Sequence, residues 1–307
     1  MKKLGTLVFI LSLFYSCKNE RINSLGTEKD SDLADTTLTA QIIENAGLWY
    51  GSFEVDSIDY NKEANYATNN WISIVIQKIT KDNQVEGFSV SAGNKRPFKG
   101  KLIKTDSTDY IVVSEPGDHK YDGTFKFNIA KNYDSIYGIW ISKRKDLPVY
   151  SRKFNLKKTE FNYNPELILK PQIFEYNDGI EEKYAVVDWF SDKTIKEEYG
   201  GKEYVVNVNR VASDAIFKVN ASTKKLTEKE LKKLRKLDLE IIRNTIYARH
   251  GYSFSNKGVR QYFDFVDWYV PLFTSVEDKI TPLERENIAL LKRLEKYAED
   301  NYDKFGR

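Results

Sequence analysis

The sequence predicts an α+β fold: an antiparallel β-meander or small barrel of about eight strands, then a short mixed β segment, then a small helical module. Three observations carry this. Between residues 47 and 158 eight runs alternate apolar and polar residues with period two, each ending in turn residues. After residue 227 the period lengthens to that of a helix and N-cap signals appear. Aromatic residues make up 14% of the 307, mostly Tyr and Phe, a bias toward β-structure.

The chain opens with a short basic stretch, "MKK", and a run of 12 mostly apolar residues, "LGTLVFILSLFY", too short to span a bilayer. Ser16 and Cys17 follow, and Cys17 is the only cysteine, so no internal disulfide can form. Leu13, the small Ser16 and Cys17 resemble the lipobox of bacterial lipoproteins. The resemblance implies a signal peptide over 1–16, cleavage before Cys17 and palmitate-type lipid on Cys17, anchoring the protein to a bacterial membrane, the outer membrane by expectation. Several acyl chains on one residue anchor stably where one is marginal. Cys17 and residues to 42 form a polar segment without aromatics, read as a tether reaching roughly 25–30 Å. Lys2 and Lys3 carry two of the three net positive charges, so the chain after residue 16 is left with +1. That balance lacks the basic footprint of a nucleic-acid binder.

Residues 43–160 are the expected barrel-like domain. Its strands are "GLWYGSFEV", "WISIVIQKI", "VEGFSVSA", "PFKGKLIK", "DYIVVSEP", "TFKFNIA", "SIYGIWISK" and "SRKFNLKK". Eight consecutive antiparallel strands suffice to close a barrel and remove exposed edges. Phe125, Phe127 and Ile129 share one face and Lys126 and Asn128 the other; around Gly138, Ile136 and Trp140 face one way and Tyr137, Ile139 and Ile141 the other, which predicts burial on both sides. Gly47-Leu48-Trp49 and Thr108-Asp109-Tyr110 resemble marks of the lipocalin family, which implies a carrier of a small apolar ligand if the barrel is hollow. His119, between Asp118 and Asp122, sits in a turn-rich stretch expected to be a solvated hairpin loop; no metal site and no cofactor are expected.

Residues 161–226 read as an irregular connector (161–183) with strands over 184–190, 202–211 and 214–222. Residues 227–299 read as helical. Thr227 and Glu230 form a capping box, 238–251 is a helix with Gly251 at its left-handed end, and 259–269 is a short aromatic helix or turn. Thr281, Pro282 and Glu284 start the last helix, whose stripe is Leu283, Asn287, Leu290, Leu294 and Tyr297, widened by Ile288 and Leu291. Residues 300–307 are a tail.

The motif Tyr247-Ala248-Arg249-His250-Gly251, together with Arg243-Asn244, "YSF" (252–254), Tyr262-Phe263, Trp268-Tyr269 and "TPLERENI" (281–288), resembles the bacterial YARHG domain over about 227–296. The resemblance implies an extracellular module carried by lipoproteins and found beside peptidases, with no catalytic residues to transfer. Read physically, Arg249 and His250 lie in the last helical turn, where cations meet exposed carbonyls. Arg243 should be buried against Glu284 or Glu286. The competing reading makes Arg243, Asn244, Arg249 and His250, with Tyr247, Tyr262, Trp268 and Tyr269, a groove for a cell-wall glycan, a carboxylate-bearing peptide or an envelope protein. No HExxH, GxSxG or phosphate-binding glycine loop is present, so a non-catalytic binding or scaffold protein is expected. The alternatives are a lipocalin-like carrier and an accessory module of a cell-wall hydrolase or peptidase system, which needs a groove with converging carboxylates.

Overall fold

The computed structural model describes residues 46–62, 69–106, 108–175, 178–179, 181–191 and 194–301. The expectations for the signal peptide, Cys17 and the tether lie outside these residues.

Eight strands form a closed barrel in chain order: β1 (Gly47–Ile58), β2 (Asn70–Ile79), β3 (Gln84–Ser91), β4 (Asn94–Ile103), β5 (Tyr110–Ser114), β6 (Gly123–Ile129), β7 (Ser135–Ser142) and β8 (Val149–Thr159). β1 pairs with β2 on one side and antiparallel with β8 on the other, so every barrel strand has two neighbours. The period-two pattern sets the register: Trp49 and Phe53 on β1, and Phe125 and Phe127 on β6, all point inward and are buried. β7 departs from expectation, because Tyr137 and Ile141 on its outer face are exposed and only Ile136 and Trp140 are buried. Its outer apolar residues look out on solvent, not on a second layer.

The barrel is filled at one end and open at the other. Trp49, Ile76, Val85, Ile111, Ile136 and Leu156 stand at the ends of their strands that share one rim, and all are buried. Phe53, Phe98, Phe125, Phe127 and Phe154 pack across the middle with ring centroids 5.9 to 6.4 Å apart. Each such ring contributes roughly 2–3 kcal/mol by leaving water.

The following segment is less regular than a small sheet. β9 (Ile173–Glu175) pairs with β10 (Glu181–Lys183), β11 (Val187–Asp188) with β14 (Arg210–Val211), and β12 (Thr194–Tyr199) with β13 (Lys202–Asn207). The strand expected over 202–211 is therefore two pieces, and every residue of β12 and β13 is exposed. The strand expected over 214–222 is instead a 3₁₀ turn, Asp214–Phe217, because Ser213 caps it by accepting from the Ala215 N–H. Four helices follow: α1 (Glu228–Leu231), α2 (Lys236–Arg249), α3 (Lys257–Phe263) and α4 (Pro282–Asn301). The capping box of Thr227 and Glu230 is present on α1. On α4, Glu284 and Thr281 cap each other through 3.0 and 3.2 Å bonds. The buried seam of α4 runs through Glu284, Asn287, Ile288, Leu291, Leu294 and Ala298, whereas Tyr297 is exposed. The seam keeps Asn287, Ile288, Leu291 and Leu294 from the expected stripe and is rotated only at its ends, where Glu284 and Ala298 take the places expected for Leu283 and Tyr297.

The helices dock on the barrel. Ser73 on β2 donates to the Pro271 carbonyl at 2.6 Å, and the Gly93 N–H donates to Ser253 at 3.0 Å. Trp71 meets Phe265 edge-on at 6.1 Å. Gly93 takes φ 79°, and a Cβ there would stand 2.6 Å from that of Ser255, so the β3–β4 turn approaches the helical module as only glycine permits.

Candidate functional site

The YARHG motif ends α2 in a Schellman arrangement. Gly251 has φ 72°; its N–H donates to the Ala248 carbonyl at 2.9 Å and the Tyr252 N–H to the Tyr247 carbonyl at 3.1 Å. The rings of Tyr247 and Tyr252 close the motif at 6.0 Å. The two basic side chains before Gly251 are not solvated. His250 is 3% exposed, its Nε2 is 2.8 Å from Glu284, and Tyr163 stacks on its ring at 4.3 Å. Arg249 is 2% exposed and donates to the Leu167 carbonyl at 2.6 Å and to Ser222 at 2.9 Å. Ser222 and Tyr163 donate in turn to the other oxygen of Glu284, at 2.6 and 3.0 Å. Burial opposes ionisation of Glu284, but His250, Ser222 and the Thr281 N–H outweigh it and hold its pKa at about 2. Burial lowers the Arg249 guanidinium to about 10 and pushes the Tyr163 hydroxyl up to about 12.

Residues 161–169, expected to be irregular connector, form a strap over this cluster. Phe161 packs on Phe273 at 5.6 Å, and the Ile168 carbonyl accepts from the indole of Trp268 at 3.1 Å. The groove expected around Arg249, His250 and Trp268 is therefore already filled by the chain's own strap. The remaining members of that set disperse. Tyr269 is buried, donating to the Tyr252 carbonyl at 2.8 Å. The Tyr262 hydroxyl is buried without a hydrogen-bond partner among the described residues. Arg243 is half-buried and grips Glu295 at 2.6 and 3.1 Å, not Glu284 or Glu286, and also donates to Asn244 at 3.0 Å. Glu284 is committed to His250, and Glu286 pairs with Lys225 at 2.8 Å on the surface. Only Arg243, Asn244 and Tyr247 share an open groove, of about 320 Å³, with Tyr252, Phe254 and Glu277.

A second built site lies at the open rim of the barrel. A cavity of about 450 Å³ has Phe53, Ile72, Phe125 and Trp140 as its apolar floor. Glu115, Arg96, Arg152 and Arg260 line it as well. Glu115 is 3% exposed; Ser89 donates to one of its oxygens at 2.7 Å, and the Gly123 N–H at 2.7 Å and Trp140 at 3.4 Å to the other. Burial raises its pKa. Arg152, also buried, donates to the Phe53 carbonyl at 2.9 Å and lies 5.2 Å above the Phe53 ring; burial lowers it to about 10. Arg96 clamps Asp122 through two 2.7 Å bonds and also pairs with Asp118.

The stretch around His119, expected to be a solvated loop, is thus tied down. Asp122 is fully buried and accepts from the Gly117 N–H at 2.7 Å and the His119 N–H at 3.2 Å. Burial works against its ionisation, yet Arg96 and those amides hold its pKa at about 2. Sequence reasoning passed over Glu115, Arg96, Arg152 and Arg260. A signal existed for the first three: Ile111-Val113-Glu115, Arg96-Phe98 and Arg152-Phe154-Leu156 each place a charge in phase with inward apolar residues. Arg260 lies on α3, outside the barrel, and no pattern in the sequence connects it to the cavity.

The YARHG domain family matches residues 215–296, so the match begins before the expected 227 and includes most of the 3₁₀ turn. No curated protein and no solved structure matches the chain. The YARHG identity of the C-terminal region and the α+β architecture with a closed eight-stranded barrel stand together on the match and the fold.

Proposed function

We propose that this is a lipid-anchored bacterial envelope protein that binds a small molecule at the open rim of its barrel and performs no reaction on it. The carrying observation is the 450 Å³ cavity, which joins an apolar floor to a few fixed polar groups, the usual build of a small-molecule site. Both oxygens of Glu115, its one buried carboxylate, are already engaged by protein donors, which suits a structural or orienting role. The anchor and the envelope setting rest on the lipobox-like residues at Cys17 and on the YARHG match. The YARHG module serves as a packed support for the barrel.

The test is binding of N-phenyl-1-naphthylamine, a neutral fluorescent probe, to the chain from residue 18 onward, which keeps every described residue. One saturable site is expected, lost in Ser91→Trp, which fills the cavity from its rim, with the melting temperature kept. Absence of saturable binding, or binding indifferent to Ser91→Trp, contradicts the reading. The anchor is tested separately: Cys17→Ser should move the full-length protein out of the membrane pellet and remove the lipid mass. A variant that stays in the pellet and still carries lipid rules the anchor out.

A further inference from the structure

We infer that the barrel-rim site is completed by the C-terminal module and takes a small apolar molecule with an anionic head group, which Arg260 reaches from outside the barrel. This rests on the reading of the rim as a binding site and adds the chemistry of the ligand and a role for the module.

α3 carries Arg260 to the cavity because Ser253 accepts from the Gly93 N–H of the β3–β4 turn, which packs close to Ser255, and Phe265 meets Trp71 edge-on. Arg260 is half-buried, and its side chain makes no hydrogen bond or ion pair among the described residues. Asp264, one helical turn further on, influences it only at longer range. Two of the other charged groups at the cavity are committed. Arg96 is held by Asp122 and Asp118, and Glu115 is saturated by Ser89, Gly123 and Trp140. Arg152 stays cationic at neutral pH, since burial takes it down only to about 10. His119 lies at the rim, its backbone N–H spent on Asp122. Arg260 therefore adds its guanidinium to that of Arg152 above an aromatic floor of Phe53, Phe125 and Trp140. A planar fork of donors at the lip of an apolar cavity favours a carboxylate, sulfonate or phosphate head over a neutral one.

The experiment pairs two probes that share a ring system and differ in charge: 1-anilinonaphthalene-8-sulfonate and the neutral N-phenyl-1-naphthylamine. Wild type should bind the sulfonate more tightly, and added salt should weaken that probe selectively. Arg260→Gln should weaken the sulfonate roughly tenfold, the scale of one charge-assisted hydrogen bond, and leave the neutral probe within about twofold. Arg260→Lys should recover part of the loss. Arg260 is outside the barrel core, so thermal melts of both variants should match wild type. Equal affinities for the two probes in wild type, or a ratio unchanged by Arg260→Gln, overturn this inference. In that case the neutral probe still binds and still needs the space opposite Ser91, so the binding reading survives. If neither probe binds, both readings fall.

Discussion

Gly251 is where the YARHG motif is most constrained. At φ 72° an L side chain is strained, and a Cβ would meet the Phe161 ring at 2.7 Å. Gly251→Ala should therefore cost about 2–3 kcal/mol in urea unfolding, more than the backbone term alone. His250 is a buried hydrogen-bond partner of Glu284, where the sequence suggested a mild helix-end cation. His250→Ala leaves one oxygen of the fully buried Glu284 without its 2.8 Å hydrogen-bond partner and should cost about 3 kcal/mol. Glu284 also sets an acid response. Its folded pKa of about 2 lies below the ordinary 4.5, so its contribution is complete above pH 4.5 and is lost as pH falls through about 2. The stability gap between wild type and Glu284→Gln should shrink between pH 5 and pH 2.5, and a constant gap contradicts this. Asp264 has the opposite sign. Burial raises it to about 6, so its charge destabilises the fold as pH rises through that value. Asp264→Asn should raise the unfolding free energy in urea at pH 8, by on the order of 2 kcal/mol, and change little at pH 3.

Among the elements, the barrel strands were legible because one face of each is buried and the other is wet, which writes a period of two into the sequence. Their turns were legible from glycine, asparagine and aspartate. Helix α4 was legible from Thr281, Pro282 and Glu284, and its seam in part, through Asn287, Ile288, Leu291 and Leu294. Apolar periodicity does not reveal that Glu284 points inward, since it is buried only by virtue of partners far along the chain, such as Ser222. The strap was illegible for the same reason. Its order comes from Tyr163 on His250 and from carbonyls at Leu167 and Ile168, contacts across roughly eighty to a hundred residues. Limited proteolysis should consequently cut within 171–183, which is exposed where its side chains are described, and spare 161–169. Early cleavage inside the strap contradicts its role. The candidate site was the least legible of all, because it combines inward charges of three strands with one arginine from a distant helix.

In the whole molecule, a barrel sealed at one rim is joined to a helical module docked beside the other. The sealed rim keeps Trp49, whose indole nitrogen is buried without a partner among the described residues; the open rim keeps Trp140, hydrogen-bonded to Glu115. These two side chains report on the two halves of the same barrel. The most direct measurement is fluorine NMR of the chain from residue 18 with 5-fluorotryptophan at its five tryptophans, assigned by Trp49→Phe and Trp140→Phe, during titration with N-phenyl-1-naphthylamine. The account predicts a saturable shift of the Trp140 signal with Trp49 unmoved. A Trp140 signal that stays still at saturating probe, or Trp49 and Trp140 shifting together, would contradict it.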